Sequence, residues 1–191
     1  MIAAKQDPGR PSLIDRFNST WHERTMWLFT FIVFSHWIEH IVQSIQIYWL
    51  GWPRPEALGF LGLALPWLVR SEWLHYGHAL VMLLFLLLLR RGMVGRPRLW
   101  WDITIGLSIW HHLEHFLLLA QVMFGFTLFG KAAPTSILQL VIPRVELHLF
   151  YNAIISLPMV IAMALHMNPT KTERKAMTCT CGRHVGRLHR A

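Results

Sequence analysis

Cysteine is scarce in this sequence of 191 residues: there are two, and both belong to the C-terminal tail. A disulfide framework therefore cannot hold the fold together. No helix-turn-helix, zinc-finger or RNA-binding signature is present, so we expect no nucleic-acid partner. Acidic residues are also few, with ten Asp and Glu against eighteen Lys and Arg, which leaves a formal net charge of +8.

Apolar residues are what the sequence has in abundance. They make up 54% of the chain, ten of them are tryptophan, and the mean hydropathy is +0.38. This composition, with its long apolar runs, predicts a small all-α integral membrane protein. We expect the lipid bilayer of the cell membrane to surround it as a multi-pass protein.

Four apolar runs are long enough to be transmembrane helices. The predicted spans are about 27–50, 72–89, 100–124 and 145–167, and together they form a four-helix transmembrane domain over 27–167. Their few polar side chains are informative, because an ionised group at the bilayer centre costs about 2.5 to 3.5 kcal/mol. Such groups must face protein and have partners there.

The segments outside the spans carry most of the charge. Residues 1–26 are predicted to be an N-terminal arm in which Ser12 and Asp15 cap a short helix on the membrane surface, with a disordered arm as the alternative. The stretch 51–71 contains a short apolar run broken by Gly and Pro, which indicates a re-entrant or interfacial loop. Residues 168–191 form a basic tail.

Lysine and arginine are distributed unevenly about the spans. Fourteen lie in 1–26, 90–98 and 168–191, and four lie in the opposite loops, 51–71 and 125–144. Because cytoplasmic loops carry the excess of positive charge, both termini are predicted to be cytoplasmic. The second and fourth spans then begin on the outer side of the membrane.

The pattern His-x-x-Glu-His occurs twice, near the middle of the first and third spans. Its members are His36, Glu39 and His40, and then, at an offset of 75, His111, Glu114 and His115. Positions i, i+3 and i+4 share one face of a helix, so each copy directs two imidazoles and a carboxylate the same way. Arg-x-Glu also recurs at an offset of 74, in 70–72 and 144–146. We therefore predict two tandem-duplicated helical hairpins, with chance similarity as the alternative.

The other two spans carry similar residues close to their outer ends. These are Glu72, His75 and His78 in the second span, and Glu146 and His148 in the fourth. All four groups can meet in one layer of the membrane, which predicts a metal site. Four nearby polar residues would orient the ligands from behind: Gln43, His112, Gln121 and Asn152.

The ligand pattern partly fits a di-iron carboxylate bundle. Such bundles take one Glu from each of two helices and Glu-x-x-His from each of the others. Glu39 and Glu114 would be the single carboxylates, and Glu72 with His75 matches the pair, whereas Glu146 and His148 are only two residues apart.

In its richness in histidine the set resembles the membrane His-box desaturases and hydroxylases, whose clusters such as His-x-x-x-His hold a metal pair. This resemblance covers only the motif-bearing halves of the spans. It implies a non-haem di-iron oxidoreductase that activates dioxygen to hydroxylate or desaturate an apolar, membrane-soluble substrate, with an electron-donor protein as partner.

Other readings of the same residues remain open. Zinc or copper could replace iron, because imidazole binds all three. A haem held by two axial histidines from the first and third spans would leave the glutamates unused. A metal-ion or proton transporter could use the groups as a relay. His-x-x-Glu-His is also the inverted zincin pattern, although it is short and occurs here twice.

The tail contains a second group of metal-binding residue types. Cys179, Cys181, His184 and His189 could hold a soft metal there, since cytoplasmic thiols are kept reduced. We expect His22 to be solvated and His166 to be an ordinary helix-end residue.

Overall fold

The computed structural model describes residues 11–179 and 181, and all regular secondary structure in this part of the chain is helical. The helices are α1 (Leu13–Phe17), α2 (His22–Tyr48), α3 (Gly59–Ala64), α4 (Pro66–Val69), α5 (Glu72–Leu89), α6 (Arg96–Phe124), α7 (Arg144–Met167) and α8 (Lys171–Ala176). Single turns of 3-10 helix cover Arg90–Gly92, Leu128–Gly130 and Leu138–Leu140. The predicted all-α class is confirmed.

Three helices are long and apolar enough to cross a membrane: α2, α5 with the turn after it, and α7. Helix α6 is the longest, at 29 residues, and is not among these three. Histidine, glutamate and glutamine side chains interrupt its apolar sequence, and several of them are buried. Because α6 packs along both α5 and α7, these polar side chains lie inside the protein.

The ends of the long helices follow local signals. Helix α5 covers the predicted range 72–89, and α7 begins one residue before the predicted 145. Helix α6 begins at Arg96 instead of about 100, since Pro97 occupies its first turn, where a missing N–H is harmless. It ends at Phe124 and is followed by Gly125, which adopts the left-handed conformation that favours glycine.

The predicted capping box at the start of α1 is present. The Asp15 N–H donates to Ser12 Oγ at 3.2 Å, and the Ser12 N–H donates to Asp15 Oδ2 at 3.1 Å. Asn18 follows α1 and connects it to the end of α5, because its amide donates to the Leu88 carbonyl at 2.9 Å and accepts the Gly92 N–H at 2.7 Å. We call this end of the bundle the tail end and the opposite one, with α3 and α4, the loop end.

The apolar core fills the half of the bundle nearer the tail end. It is formed by side chains from all four long helices, among them Met26, Phe29, Leu86, Trp101 and Met159. The indole N–H of Trp101 donates to the Leu86 carbonyl at 2.8 Å. The half nearer the loop end contains buried histidines, glutamates and glutamines such as His40, Glu114 and Gln121, so the two halves of the same helices have different interiors.

Helix α8 is docked onto the start of α6 by one carboxylate. Glu173 accepts hydrogen bonds from the Arg96 backbone N–H at 2.9 Å and from the Arg96 guanidinium at 3.0 Å. The Arg96 guanidinium holds the pKa of Glu173 well below its usual range. The first residues of the tail are therefore attached to the bundle.

Replacing Leu86 by Ala should destabilise the protein, because this side chain is fully buried in the apolar core. Lipid is as apolar as leucine, so the loss is mainly one of packing, about 1–3 kcal/mol. Leu84→Ala on the same helix is the matched control, since Leu84 is 54% exposed. Thermal unfolding in detergent should give a lower midpoint for Leu86→Ala alone; equal effects of both changes would contradict this packing.

Candidate metal centres

Seven histidines from all four long helices meet in the half of the bundle nearer the loop end. We call them the central histidine cluster: His36 and His40 from α2, His75 and His78 from α5, His111 and His115 from α6, and His148 from α7. All are buried or half-buried. The structure therefore brings together the seven histidines that the sequence predicted as ligands of the site within the four spans.

His148 is the centre of this cluster. Its ring centroid lies 4.6 Å from that of His40, 5.2 Å from that of His115, 6.0 Å from those of His75 and His111, and 6.5 Å from that of His36. Helix α7 thus contributes one imidazole that approaches rings from each of the other three long helices.

Histidines one turn apart form the pairs that their spacing predicts. The ring centroids of His36 and His40 are 4.5 Å apart, and so are those of His111 and His115. The Nε2 atoms of His36 and His40 face each other at 3.1 Å. His78 stacks on His36, with centroids 3.9 Å apart. Two nitrogens at this separation can share a hydrogen or bind one cation.

Backbone carbonyls fix the hydrogen on two of these rings. His75 Nδ1 donates to the Ser71 carbonyl at 3.0 Å, and His148 Nδ1 donates to the Arg144 carbonyl at 2.7 Å. A carbonyl oxygen only accepts, so Nδ1 carries the hydrogen and Nε2 keeps its lone pair. Metal-binding histidines are commonly held in this way.

Several ring nitrogens of the cluster are buried without a hydrogen-bond partner among residues 11–179 and 181. They are His78 Nε2, His111 Nδ1, His115 Nδ1 and His148 Nε2. An unsatisfied buried polar atom costs about 1–3 kcal/mol. Several in one place indicate a site for a ligand, and metal cations are natural partners of imidazole nitrogens.

The glutamates of the two His-x-x-Glu-His motifs bind the loop end of the protein. Both oxygens of Glu39 accept the Leu61 N–H, at 2.9 and 3.0 Å, in the first turn of α3. Glu114 accepts the Leu138 N–H at 2.9 Å and the Tyr151 hydroxyl at 2.8 Å. Each carboxylate thus fastens a short helix of the following loop to a long helix.

The other two predicted carboxylates form ion pairs. Glu72 pairs with Arg144 at 2.6 Å, and Glu146 pairs with Arg54 at 2.9 Å and contacts the Tyr48 hydroxyl. Among the residues that the structure describes, none of the four carboxylates is hydrogen-bonded to a histidine ring. They remain predicted ligands that would have to exchange these partners on binding metal.

Two glutamines make matching contacts, and sequence reasoning found only one of them. Gln121 accepts the Thr135 N–H at 3.2 Å and donates to its carbonyl at 3.0 Å. Gln46 accepts the Gly59 N–H at 2.9 Å and donates to its carbonyl at 3.3 Å. Gln43 and Gln121 were both predicted to orient ligands, whereas the offset of 75 between the motifs pairs Gln121 with Gln46.

The remaining residues predicted to orient ligands have different surroundings. Gln43 orients a cluster histidine directly, because its Oε1 accepts a hydrogen bond from His40 Nδ1 at 2.7 Å. Asn152 is buried one turn from His148, and its Nδ2 has no hydrogen-bond partner within the described residues. His112 packs against Tyr76 instead, with centroids 5.1 Å apart.

Two clefts reach the central histidine cluster. One, of about 340 Å³, lies between α2, α3 and α5. It is lined by five apolar side chains, among them Phe31, Ile32 and Leu74, and by seven polar ones, four of which are cluster histidines. The other, of about 590 Å³, lies at the loop end and is lined by Arg54, Arg70, Arg144 and three cluster histidines, among others. The cluster is thus accessible from a partly apolar side and from a basic one.

A second buried group lies at the tail end. Cys179 and Cys181 meet His22 and His166, and their ligand atoms all lie within 4.8 Å of one another. This His/Cys group could bind a metal. The hydrogen bond from Cys181 lowers the pKa of the Cys179 thiol.

The histidines beside Cys179 and Cys181 differ from those that the sequence predicted. The expected solvation of His22 is wrong, because the residue is fully buried, and His166 belongs to the His/Cys group instead of being an ordinary helix-end residue. His184 and His189, the predicted tail partners of the cysteines, lie outside the described residues. The sequence did not indicate that His22 and His166 lie beside the cysteines, because they are far from the cysteines and from each other in sequence: His22 begins α2, and His166 lies near the end of α7.

Comparison of the chain with protein-family models, curated proteins and solved structures finds no match. Fold and sites together define an all-helical chain with three membrane-length apolar helices, buried histidines and a His/Cys group able to bind metal. A more specific function has to be inferred from the site itself.

The paired glutamine contacts predict a shared effect of two substitutions. Gln46→Leu and Gln121→Leu each leave a backbone N–H and carbonyl without a partner, which should cost about 1–3 kcal/mol. Hydrogen exchange should become faster around Gly59 in the first variant and around Thr135 in the second. Glu56→Gln, an exposed change in the same loop as Gly59, is the control. Unchanged exchange in both leucine variants would rule out this role.

Proposed function

We propose that this chain is a membrane-embedded metalloprotein whose central histidine cluster binds a redox-active metal centre, with two irons as the favoured content. The proposed reaction is the hydroxylation or desaturation of an apolar, membrane-soluble substrate with dioxygen. The observation that carries the proposal is the convergence of seven histidines on His148, with Nε2 of His75 and His148 left free by backbone carbonyls.

The proposed arrangement in the membrane has four spans, with α6 as the third in chain order. Its polar stripe is enclosed by α5 and α7, which makes a membrane position acceptable. The excess of Lys and Arg in the predicted cytoplasmic segments supports an orientation with both termini inside the cell.

A tandem duplication of two hairpins is part of this proposal. Gln46 and Gln121 each bind both backbone groups of one loop residue, and Glu39 and Glu114 each accept an N–H from a short loop helix. His75 and His148 each donate to the carbonyl four residues before. The glutamine and glutamate pairs are both offset by 75 and make the same kind of contact, which supports a common origin of the halves more strongly than similar leucines would; His75 and His148 are offset by 73.

The surroundings of the cluster favour a histidine-rich ligand set. The carboxylates have protein partners, whereas several ring nitrogens have none among the residues that the structure describes, and nitrogen-rich sites of this kind suit iron, copper or zinc. Iron is favoured because zinc has no redox chemistry and the resemblance to His-box enzymes implies iron. A bound metal pair would supply dioxygen activation, and the protein would position the substrate and exclude water.

The cleft of about 340 Å³ supports an apolar substrate. Phe31, Ile32 and Leu74 line it, and it reaches His36 and His78. A hydrocarbon chain lying along these apolar side chains would have one carbon close to the histidine rings, where Glu39 and Gln43 also line the cleft. Full reduction of dioxygen needs more electrons than the substrate supplies, so the proposed reaction also requires an electron-donor protein.

The side chains inside the bundle, between the central histidine cluster and the tail end, favour a metal that stays bound over an ion or proton relay. On the tail-end side of the cluster the bundle is filled mainly by apolar side chains such as Phe29, Leu86 and Trp101, and the buried Thr104 and Ser108 there are uncharged. A relay needs a chain of polar groups across the membrane.

Removing the central imidazole tests the metal centre. His148→Ala and His115→Ala should lose the iron, while His112→Ala, at a ring packed on Tyr76, should keep it. Elemental analysis of protein in mild detergent should give about two irons per chain in the wild type. A Soret band would instead indicate haem, and iron retained in both cluster variants would overturn the assignment.

Filling the apolar cleft tests the substrate class. Ser35 lines this cleft, so Ser35→Phe should keep the iron yet lower the dioxygen uptake stimulated by a membrane-lipid extract about tenfold or more. Ile38→Phe is the matched control, because Ile38 is exposed on the same helix. Uptake is followed with an oxygen electrode and a chemical reductant. Equal stimulation of both variants would exclude the cleft as the substrate site.

A further inference from the structure

We propose that His22, His166, Cys179 and Cys181 form a structural zinc site that fastens the tail to the ends of α2 and α7. This site is separate from the central histidine cluster and does not depend on the function proposed for it. His22 precedes His36 by fourteen residues on the same helix, which places them about 21 Å apart along the helix axis.

The distances within the group match those of a tetrahedral zinc site. His22 Nδ1 lies 3.5 Å from Cys181 Sγ, and His166 Nε2 lies 3.3 Å from Cys179 Sγ. Zinc bonds of about 2.0–2.1 Å to nitrogen and about 2.3 Å to sulfur give ligand separations of roughly 3.5 Å at tetrahedral angles. Two of the six ligand separations therefore already match those that one zinc ion requires, and the others are no longer than 4.8 Å.

The His22 ring is oriented from its other side. Its Nε2 lies 3.3 Å from the Leu89 carbonyl and donates to it, which leaves the Nδ1 lone pair for a cation. The ring packs directly against Gly92, where an added Cβ would overlap it. Both the hydrogen and the position of the ring are thus fixed by the turn that follows α5.

Burial indicates a structural zinc ion and not a catalytic one. All four residues are buried, and His22 and His166 are fully so. Two cysteines and two histidines complete a tetrahedral shell, so no coordination position remains for water or substrate. Two thiolates with two neutral imidazoles carry two negative charges, which a divalent cation compensates in this buried place.

Neighbouring contacts bring the tail to this position. Thr178 donates to the Asn18 carbonyl at 2.8 Å, and Glu173 holds α8 against Arg96. These contacts connect the tail to α1 and α6, and the zinc would add α2 and α7. One ion would then join the tail end of the whole bundle, because His22 also contacts the turn after α5.

Elemental analysis of the full chain tests this site. Protein purified in detergent under reducing conditions, with zinc supplied, should contain about one zinc per chain. Cys179→Ser and Cys181→Ser should lose it and keep the metal of the central cluster, whereas His148→Ala should keep the zinc. A variant that loses both metals together would be misfolded. We therefore add His22→Cys as a second variant, because cysteine is also a zinc ligand, and we expect it to retain zinc.

Cobalt and trypsin give two further readouts. Cobalt bound at this site should show thiolate-to-metal charge-transfer absorption in the near ultraviolet, which Cys179→Ser abolishes. Chelation of the zinc should speed tryptic cleavage after Lys171 and Lys175 several-fold, because both are exposed in α8. Wild-type protein without zinc, with a disulfide between the two cysteines, or with unchanged cleavage on chelation would overturn the proposal.

Discussion

Polar groups inside these apolar helices must find their partners within the protein, and the arrangement of the loop end depends on that requirement. Carboxylates there bind backbone N–H groups or arginines, as Glu39 does with Leu61 and Glu72 does with Arg144. Gln46 and Gln121 bind loop backbone in the same way. The loops are therefore folded down onto the long helices, and the space they close off is where the histidines meet.

The two ends of the bundle are held together by different interactions. Near the loop end, hydrogen bonds surround a cluster of imidazoles whose nitrogens are only partly satisfied. Near the tail end, apolar packing around Trp101 is closed by two cysteines and two histidines. The apolar core separates the groups, so a structural ion at one end and a reactive centre at the other can coexist in one small chain.

The sequence could place the histidines of the central cluster on common helix faces because that information is local. His36 and His40 are one turn apart, so a helix places them on one face, and in the proposed membrane arrangement the burial of that face follows from the cost of polar groups in lipid. The hydrogen-bond partners of the glutamates could not be predicted from the sequence. Whether Glu114 faces a cation or caps Leu138 depends on where a loop returns, which helical periodicity does not contain.

Composition and periodicity alone determined the all-α class, the positions of the long helices and the set of histidines. Only the tertiary structure decided that Cys179 and Cys181 meet His22 and His166, and that Gln46 is the counterpart of Gln121. The physical reason is that helix spacing fixes neighbours within a few turns, whereas the meeting of distant ends depends on how the helices pack and where the tail docks.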